Sequence, residues 1–134
     1  MIDAERTVGA FLRTAAELTA LDAQVVGSTP DDTDRPWVVV RQLDATDASH
    51  ALDWLITYML QLDCYAGRGG QTEASRLARA VRAALHRMPD ADLDDAVVTR
   101  TAFGSMPRIP DPDFRPARER FALTVFVSIH PGLP

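Results

Sequence analysis

The chain has 134 residues, a formal net charge of −5 and 46% hydrophobic residues, one domain's worth of sequence with an ordinary supply of apolar surface, which excludes two-domain enzymes, fibres and disordered chains. Its 14 basic residues are all Arg, so no phosphate-loop lysine, Schiff base or lysine general base exists. The single Cys64 leaves no internal disulfide or thiolate cluster, and the acidic balance on average repels nucleic acid and anionic membranes.

Residues 3–21 carry Ala4, Val8, Phe11, Leu12, Ala15 and Leu18 at helical spacing, with Arg6, Arg13 and Glu17 opposite. This predicts one amphipathic helix capped by Asp3. A short apolar piece at 24–27, a polar turn-rich run at 28–35 and an apolar run at 37–43 after Pro36 read as strand, loop and strand. Residues 44–53 are polar again and read as a loop. From 54 to 65, Trp54, Ile56, Tyr58, Leu60, Leu62 and Cys64 alternate with Thr57, Gln61 and Asp63, a period of two that predicts a long strand.

Gly67, Gly69 and Gly70 break that strand. Thr72 is then placed to cap a second helix with the stripe Ala74, Leu77, Ala78, Val81, Leu85 and Met88, ended by Pro89. An acidic turn at 90–95 leads to a strand at 97–103. Residues 106–116 hold four prolines, too many for a regular element, and read as a loop at the tip of a hairpin. The last strand, 117–129, puts Phe121, Leu123, Val125, Val127 and Ile129 on one face, with Arg118, Arg120, Thr124 and Ser128 on the other.

This order predicts an α+β domain: an antiparallel or mixed sheet, two helices packed on one face, and a long C-terminal β-hairpin. The inner side of the sheet is expected to include Trp54, Ile56, Leu60, Leu62, Phe121, Leu123, Val125 and Val127. A globule of this length is about 36 Å across, whereas a 13-residue strand reaches ~43 Å. At least one strand must therefore bend, bulge or project, and exposed strand edges invite partner chains. No apolar run approaches the ~18 residues of a membrane span, and no basic segment precedes an apolar one at the N-terminus, so a soluble cytoplasmic product is expected. The absence of Asn and Lys beside 20 Ala points to a high-GC bacterium or its phage.

The turn Gly67-Arg68-Gly69-Gly70-Gln71-Thr72 stands where amides can hold a phosphate, but it lacks the GK[ST] ending and the third glycine of the dinucleotide fingerprint, and reads as a plain turn. His50 and Asp53 could pair as base and orienting carboxylate, yet no nucleophile or oxyanion partner accompanies them. His86 and His130 share no metal-ligand spacing with His50. Cys64 belongs to an apolar strand face and reads as a buried structural thiol. Arg76, Arg79, Arg82, His86 and Arg87 gather on the polar side of the second helix, a solvated or salt-bridging face. Asp31, Asp32, Asp34, Asp44, Asp47 and Asp53 cluster in the loops around the second strand, and 90–95 adds four more aspartates, all without the spacing of a calcium loop.

The stretch LQLDCYAGRGGQTEASRLARAVRAAL (60–85) resembles the middle of siphophage tail-terminator, or tail-completion, proteins, the group of the lambda tail terminator. The likeness lies in an apolar-Gln-apolar-Asp-x-aromatic strand, a short turn, and a helix reading A..LA.AVR.AL. The N-terminal helix, the strand Pro36-Trp37-Val38-Val39 and the late RERFALTVFVSI strand follow in the family's order. The resemblance implies a single domain over 1–134 with no catalytic motif, metal or cofactor. It implies a homo-oligomeric ring, commonly a hexamer, that caps the tail tube, terminates tail growth and joins tail to head. The implied partners are a tail tube protein and a head-completion or stopper protein, with DNA passing through the lumen unspecifically bound. The implied location is the tail-head junction of the virion after assembly in the host cytoplasm. The alternatives are another neck component, either a head-closure or a tube subunit, and a small hot-dog or ferredoxin-like enzyme using His50 and Asp53.

Two sets of site residues follow as expectations. Arg108, Ile109, Phe114 and Arg115 in the proline-rich loop offer forked donors and apolar anchors for an interface. Asp31, Asp32, Asp34, Asp44 and Asp47 would line or approach the lumen, where like charge keeps DNA from sticking.

Overall fold

The computed structural model describes residues 2–47, 54–94 and 96–132. The elements run α1 (Ala4–Thr14), α2 (Ala16–Thr19), β1 (Gln24–Val26), β2 (Trp37–Asp47), β3 (Ile56–Tyr65), α3 (Gln71–His86), a 3-10 turn (Met88–Asp90), β4 (Ala96–Phe103) and β5 (Arg120–Pro131). The five strands form one mixed sheet in the order β1-β2-β3-β5-β4. Among the described residues only β1 and β2 pair in parallel, and every other pairing is antiparallel. The architecture is α+β, as the element order predicts.

One apolar cluster joins the stripes of α1 and α3 to alternate residues of the sheet. Val8, Phe11 and Leu12 meet Leu77, Val81 and Leu85 over Val38, Tyr58, Leu60, Leu62, Leu123, Val125, Val127 and Ile129. Strand alternation sends the intervening residues to the opposite face, the uncovered face, which no helix among the described residues covers. The predicted α3 stripe is buried throughout, and its alanines bring the helix close to the strands.

The first helix is not continuous. Ala15 is extended at ψ 127°, and the chain restarts as α2, which turns Leu18 into the core. The Thr14 hydroxyl donates to the Phe11 carbonyl at 3.0 Å, supplying a local partner where the helix stops. The cap of α3 is Gly70, not Thr72, and Glu73 Oε2 accepts from the Gly70 amide at 2.9 Å. The helix ends at His86, ahead of Pro89, which sits in the 3-10 turn.

Strand ends differ as well. β2 continues through Asp44 to Asp47, past the expected loop boundary, by taking a bulge between Gln42 and Asp44. β3 starts at Ile56, so Trp54 is not on the inner face. It is 49% exposed and stacks on His130 at 4.1 Å, an aromatic partner beyond the end of the core. A second register shift, between Val98 and Arg100, falls in β4, so both bulges lie in the strands flanking the β3–β5 pair, whose own register is unbroken.

The proline-rich segment is an arm laid along β5, not a free loop. Thr124 N donates to Ser105 O, Ala122 N to Pro107 O, Ile109 N to Arg120 O and Asp111 N to Arg118 O, at 2.8 to 3.1 Å. Pro110 and Pro112 fall at outward positions where the pairing uses no donor, and Pro107 contributes its carbonyl to Ala122 N, so the ladder survives with the Pro107 donor missing. The hairpin of β4 and β5 thus extends through its connection and turns between Asp111 and Arg118.

Candidate assembly surface

On the uncovered face, where β2 and β3 begin and end, Trp37, Val39 and Tyr65 form a second small cluster that Val26 and Phe114 partly cover. Trp37 and Tyr65 stack at 4.3 Å with planes 10° apart, and the Phe114 ring tilts against both at 5.8 and 6.1 Å. The arm supplies the polar clip. Tyr65 OH donates to Asp111 Oδ2 at 2.7 Å, Asp113 N donates to Asp111 Oδ1 at 3.0 Å, and Arg120 lies 3.8 Å from the same carboxylate. Burial and the Asp111 hydrogen bond push the Tyr65 phenol up to about 12. Burial works to raise the Asp111 carboxyl, but Tyr65, the Asp113 amide and Arg120 together hold it below its ordinary value.

Three loops meet at this end. Arg118 Nη1 donates to Gly67 O at 2.6 Å and to Thr33 O at 3.2 Å, and Arg68 pairs with Asp34 at 2.6 Å. Gly67 has φ +68°, and a Cβ there would stand 2.4 Å from Asp34 O, so glycine is required. The amides of Arg68, Gly69 and Gly70 are taken by Asp34 O, Ala66 O and Glu73. The glycine turn is thus built for chain packing, as the plain-turn reading has it.

Farther along the uncovered face the residues are polar but paired. Asp63, 3% exposed, accepts from Arg41 Nη2 at 2.7 Å and Gln61 Nε2 at 2.8 Å, and the hydroxyls of Thr57 and Ser128 bond at 2.8 Å. Register places Asp44 on this same face opposite Met59. Phe126 lies on the other side of Met59 and is 37% exposed.

The expected interface residues divide by environment. Arg108 is held by Glu119 through two contacts, at 2.6 and 2.8 Å, and that guanidinium lowers the Glu119 carboxyl. Phe114 packs within its own chain, while Ile109 and Arg115 are exposed. The acidic set does not gather in one place. Asp31, Asp32 and Asp34 precede Trp37, whereas Asp44 lies seven residues beyond it, about 23 Å along β2. Asp47 closes the strand. His50 and Asp53 lie outside the described residues, as does Asp95. Cys64 is buried, its thiol pushed up by burial and then by the Asp63 charge. On the basic face of α3, Arg82 sits over Phe103 at 4.7 Å and Arg87 pairs with Glu17 at 2.7 Å. Sequence reasoning missed Asp111 and Tyr65. The one available signal was an aspartate between Pro110 and Pro112, isolated from the other acidic runs.

Against known proteins, the family model described as tail completion protein gp17 matches residues 6–128. No curated protein matches the chain. Among solved structures, a chain of the virion of a native gene transfer agent particle is similar with a TM-score of 0.72. It is 20% identical over 96% of this chain and 95% of that one, a likeness of fold.

Proposed function

The chain belongs to the tail completion protein gp17 family, a structural family of phage tails and not of enzymes, and from that premise we propose that it ends tail growth by forming a ring on the tail tube and then joins tail to head. The observation that carries the reading is the family match, which runs through every strand and helix from α1 to β5. The fold shared with a virion chain supports it.

In this reading, residues 1–134 act as one tail-terminator-like domain within a homo-oligomeric ring, hexameric in the resemblance. The tail tube protein lies on one side and a head-completion protein on the other, at the tail-head junction of the virion. Ile109 and Arg115 are the arm's outward contacts, and Arg108 and Phe114 hold the arm in shape behind them. Asp31, Asp32, Asp34, Asp44 and Asp47 approach the DNA path.

The test is removal of the gene from the phage or prophage that carries it, followed by electron microscopy of the particles and complementation in trans. Tails of uncontrolled length without heads, restored by the wild-type gene, are expected. Tails of normal length beside heads that lose their DNA would make the chain a head-closure component instead, and missing tubes would make it a tube subunit.

A further inference from the structure

Resting on the ring reading above, we infer that neighbouring copies join by sheet extension: the free edge of β4 in one copy pairs antiparallel with the free second half of β2 in the next. The strand order leaves two open edges among the described residues. β4 pairs only with β5, and β1 covers only Trp37, Val38 and Val39 of β2. Gly104 N–H donates to Thr124 O on β5 at 2.9 Å, so strand alternation turns the amides of Phe103 and Thr101 outward. On β2, the outward amide of Gln42 is met by the Glu5 carboxylate at 2.9 Å and the Ala45 amide by Asp44 Oδ1 at 2.8 Å, side chains that stand where a strand would otherwise pair.

The two edges match in level, direction and chemistry. Following the register across the sheet, Phe103 aligns through Val125 and Leu60 with Gln42, Ala102 through Phe126 and Met59 with Asp44, and Arg100 through Ser128 and Thr57 with Thr46. The open stretches therefore face outward at the same height on opposite sides of one sheet. β2 and β5 run one way and β3 and β4 the other. Copies related by rotation keep that sense, so β4 meets the next β2 antiparallel, the geometry of a head-to-tail closed contact.

β4 reads AVVTRTAF, with Arg100 as its one charge and no acid, while residues 42–47 carry Asp44 and Asp47 and no base. The eight-residue β4 edge carries no lysine and no proline and leaves Val97 42% exposed; Arg100 and the bulge before it are its edge-blunting features. Leu43, at the bulge of the opposite edge, is 49% exposed. A second copy supplies what each edge lacks.

The experiment uses rings isolated from concentrated protein or from tails. Arg100→Cys with Thr46→Cys, and Ala102→Cys with Asp44→Cys, are made in single chains. Cys64 is fully buried and stays out of the reaction. Mild oxidation of either pair should give a ladder of covalent multimers on a non-reducing gel, where each single variant gives none beyond a dimer. Wild-type rings should also show amide exchange slowed at least tenfold across β4 and residues 42–47, relative to dispersed subunits. Rings seen by microscopy with no ladder from either pair and unchanged exchange would overturn edge pairing and leave the ring reading intact. Absence of rings from both sources would instead remove the ring reading itself.

Discussion

Asp111→Ala tests whether the proline-rich arm is clipped to the sheet by one buried carboxylate. The side chain accepts from Tyr65 OH at 2.7 Å and from Asp113 N at 3.0 Å, and faces Arg120 at 3.8 Å. A hydrogen bond to a charged group contributes about 1.5 to 3 kcal/mol and the turn contact about 1 kcal/mol. The longer, partly exposed Arg120 contact adds under about 1 kcal/mol. The variant should therefore lose roughly 3 kcal/mol, a fall in Tm on the order of 10 °C for a chain of this size. Tyr65→Phe removes the donor alone and should cost about 1 to 2 kcal/mol. Because both substitutions break the same bond, the double variant should be less destabilised than the sum by about 1 to 2 kcal/mol. Urea denaturation followed by the fluorescence of Trp37, stacked on Tyr65, measures all three. The pH dependence has a fixed sign: the Asp111 carboxyl is lowered in the folded chain from 3.8, so its contribution is present above that value and is lost as pH falls through the folded one. The variant's acid limb should be correspondingly flatter. Additivity within about 0.5 kcal/mol, or wild-type stability for Asp111→Ala, would refute the clip.

Leu77→Ala and Val125→Ala, both fully buried between α3 and the sheet, should each cost about 2 to 4 kcal/mol in chemical denaturation. Glu17 is lowered from 4.5 to about 2, chiefly by the Arg87 hydrogen bond, so wild-type Tm should fall as pH drops through that window. In Glu17→Gln that part of the fall should be missing from a thermal scan series. Ile109→Ser with Arg115→Glu should leave stability within about 0.5 kcal/mol of wild type while abolishing tail joining in a complementation assay; normal phage yield would reduce the arm to a connector. Replacing Asp31, Asp32 and Asp34 by serine should leave the fold intact and slow DNA ejection from completed particles, measured by the rate of genome release.

The legible parts of this molecule are those where one face is buried against another. The stripes of α1 and α3 and the alternation of β3 and β5 each carry a full period of apolar residues, which only one packing satisfies. What stayed hidden depends on contacts between distant segments. Nothing in the helical period of residues 3–21 marks the break at Ala15, because the residues on both sides remain at core-facing positions. Trp54 continues the alternation of β3 in sequence, but the core ends before it and His130 takes its ring. The arm was hidden by its prolines, which argue against a strand when taken residue by residue. Its pairing uses the donors of Ile109 and Asp111 and the carbonyls of Ser105 and Pro107, while Pro110 and Pro112 stand at the outward positions. The acidic residues were legible as a set in sequence, yet β2 separates them along its length.

Edge pairing would decide what that separation means. With β4 and the next β2 paired at the same height, the closed sheet carries no stagger at the joint and its strands run along the ring axis. In such a ring the helices would take the outer radius, since the bulkier layer needs the longer circumference, and the opposite face would turn to the lumen. That face presents Thr57 with Ser128, Gln61 and Asp63 with Arg41, and Asp44 by register. Asp63 is paired there with Arg41, and hydroxyl and amide groups would face the DNA path beside the exposed Phe126. Asp31, Asp32 and Asp34 then mark the rim at the Trp37 end, and Asp44 and Asp47 the opposite end of the same strand. Repulsion of DNA would act at the two mouths of the channel more than along its wall. In this arrangement the Asp111 clip and the arm's exposed Ile109 and Arg115 share the rim with the first acidic group, where a neighbouring layer of the particle would dock.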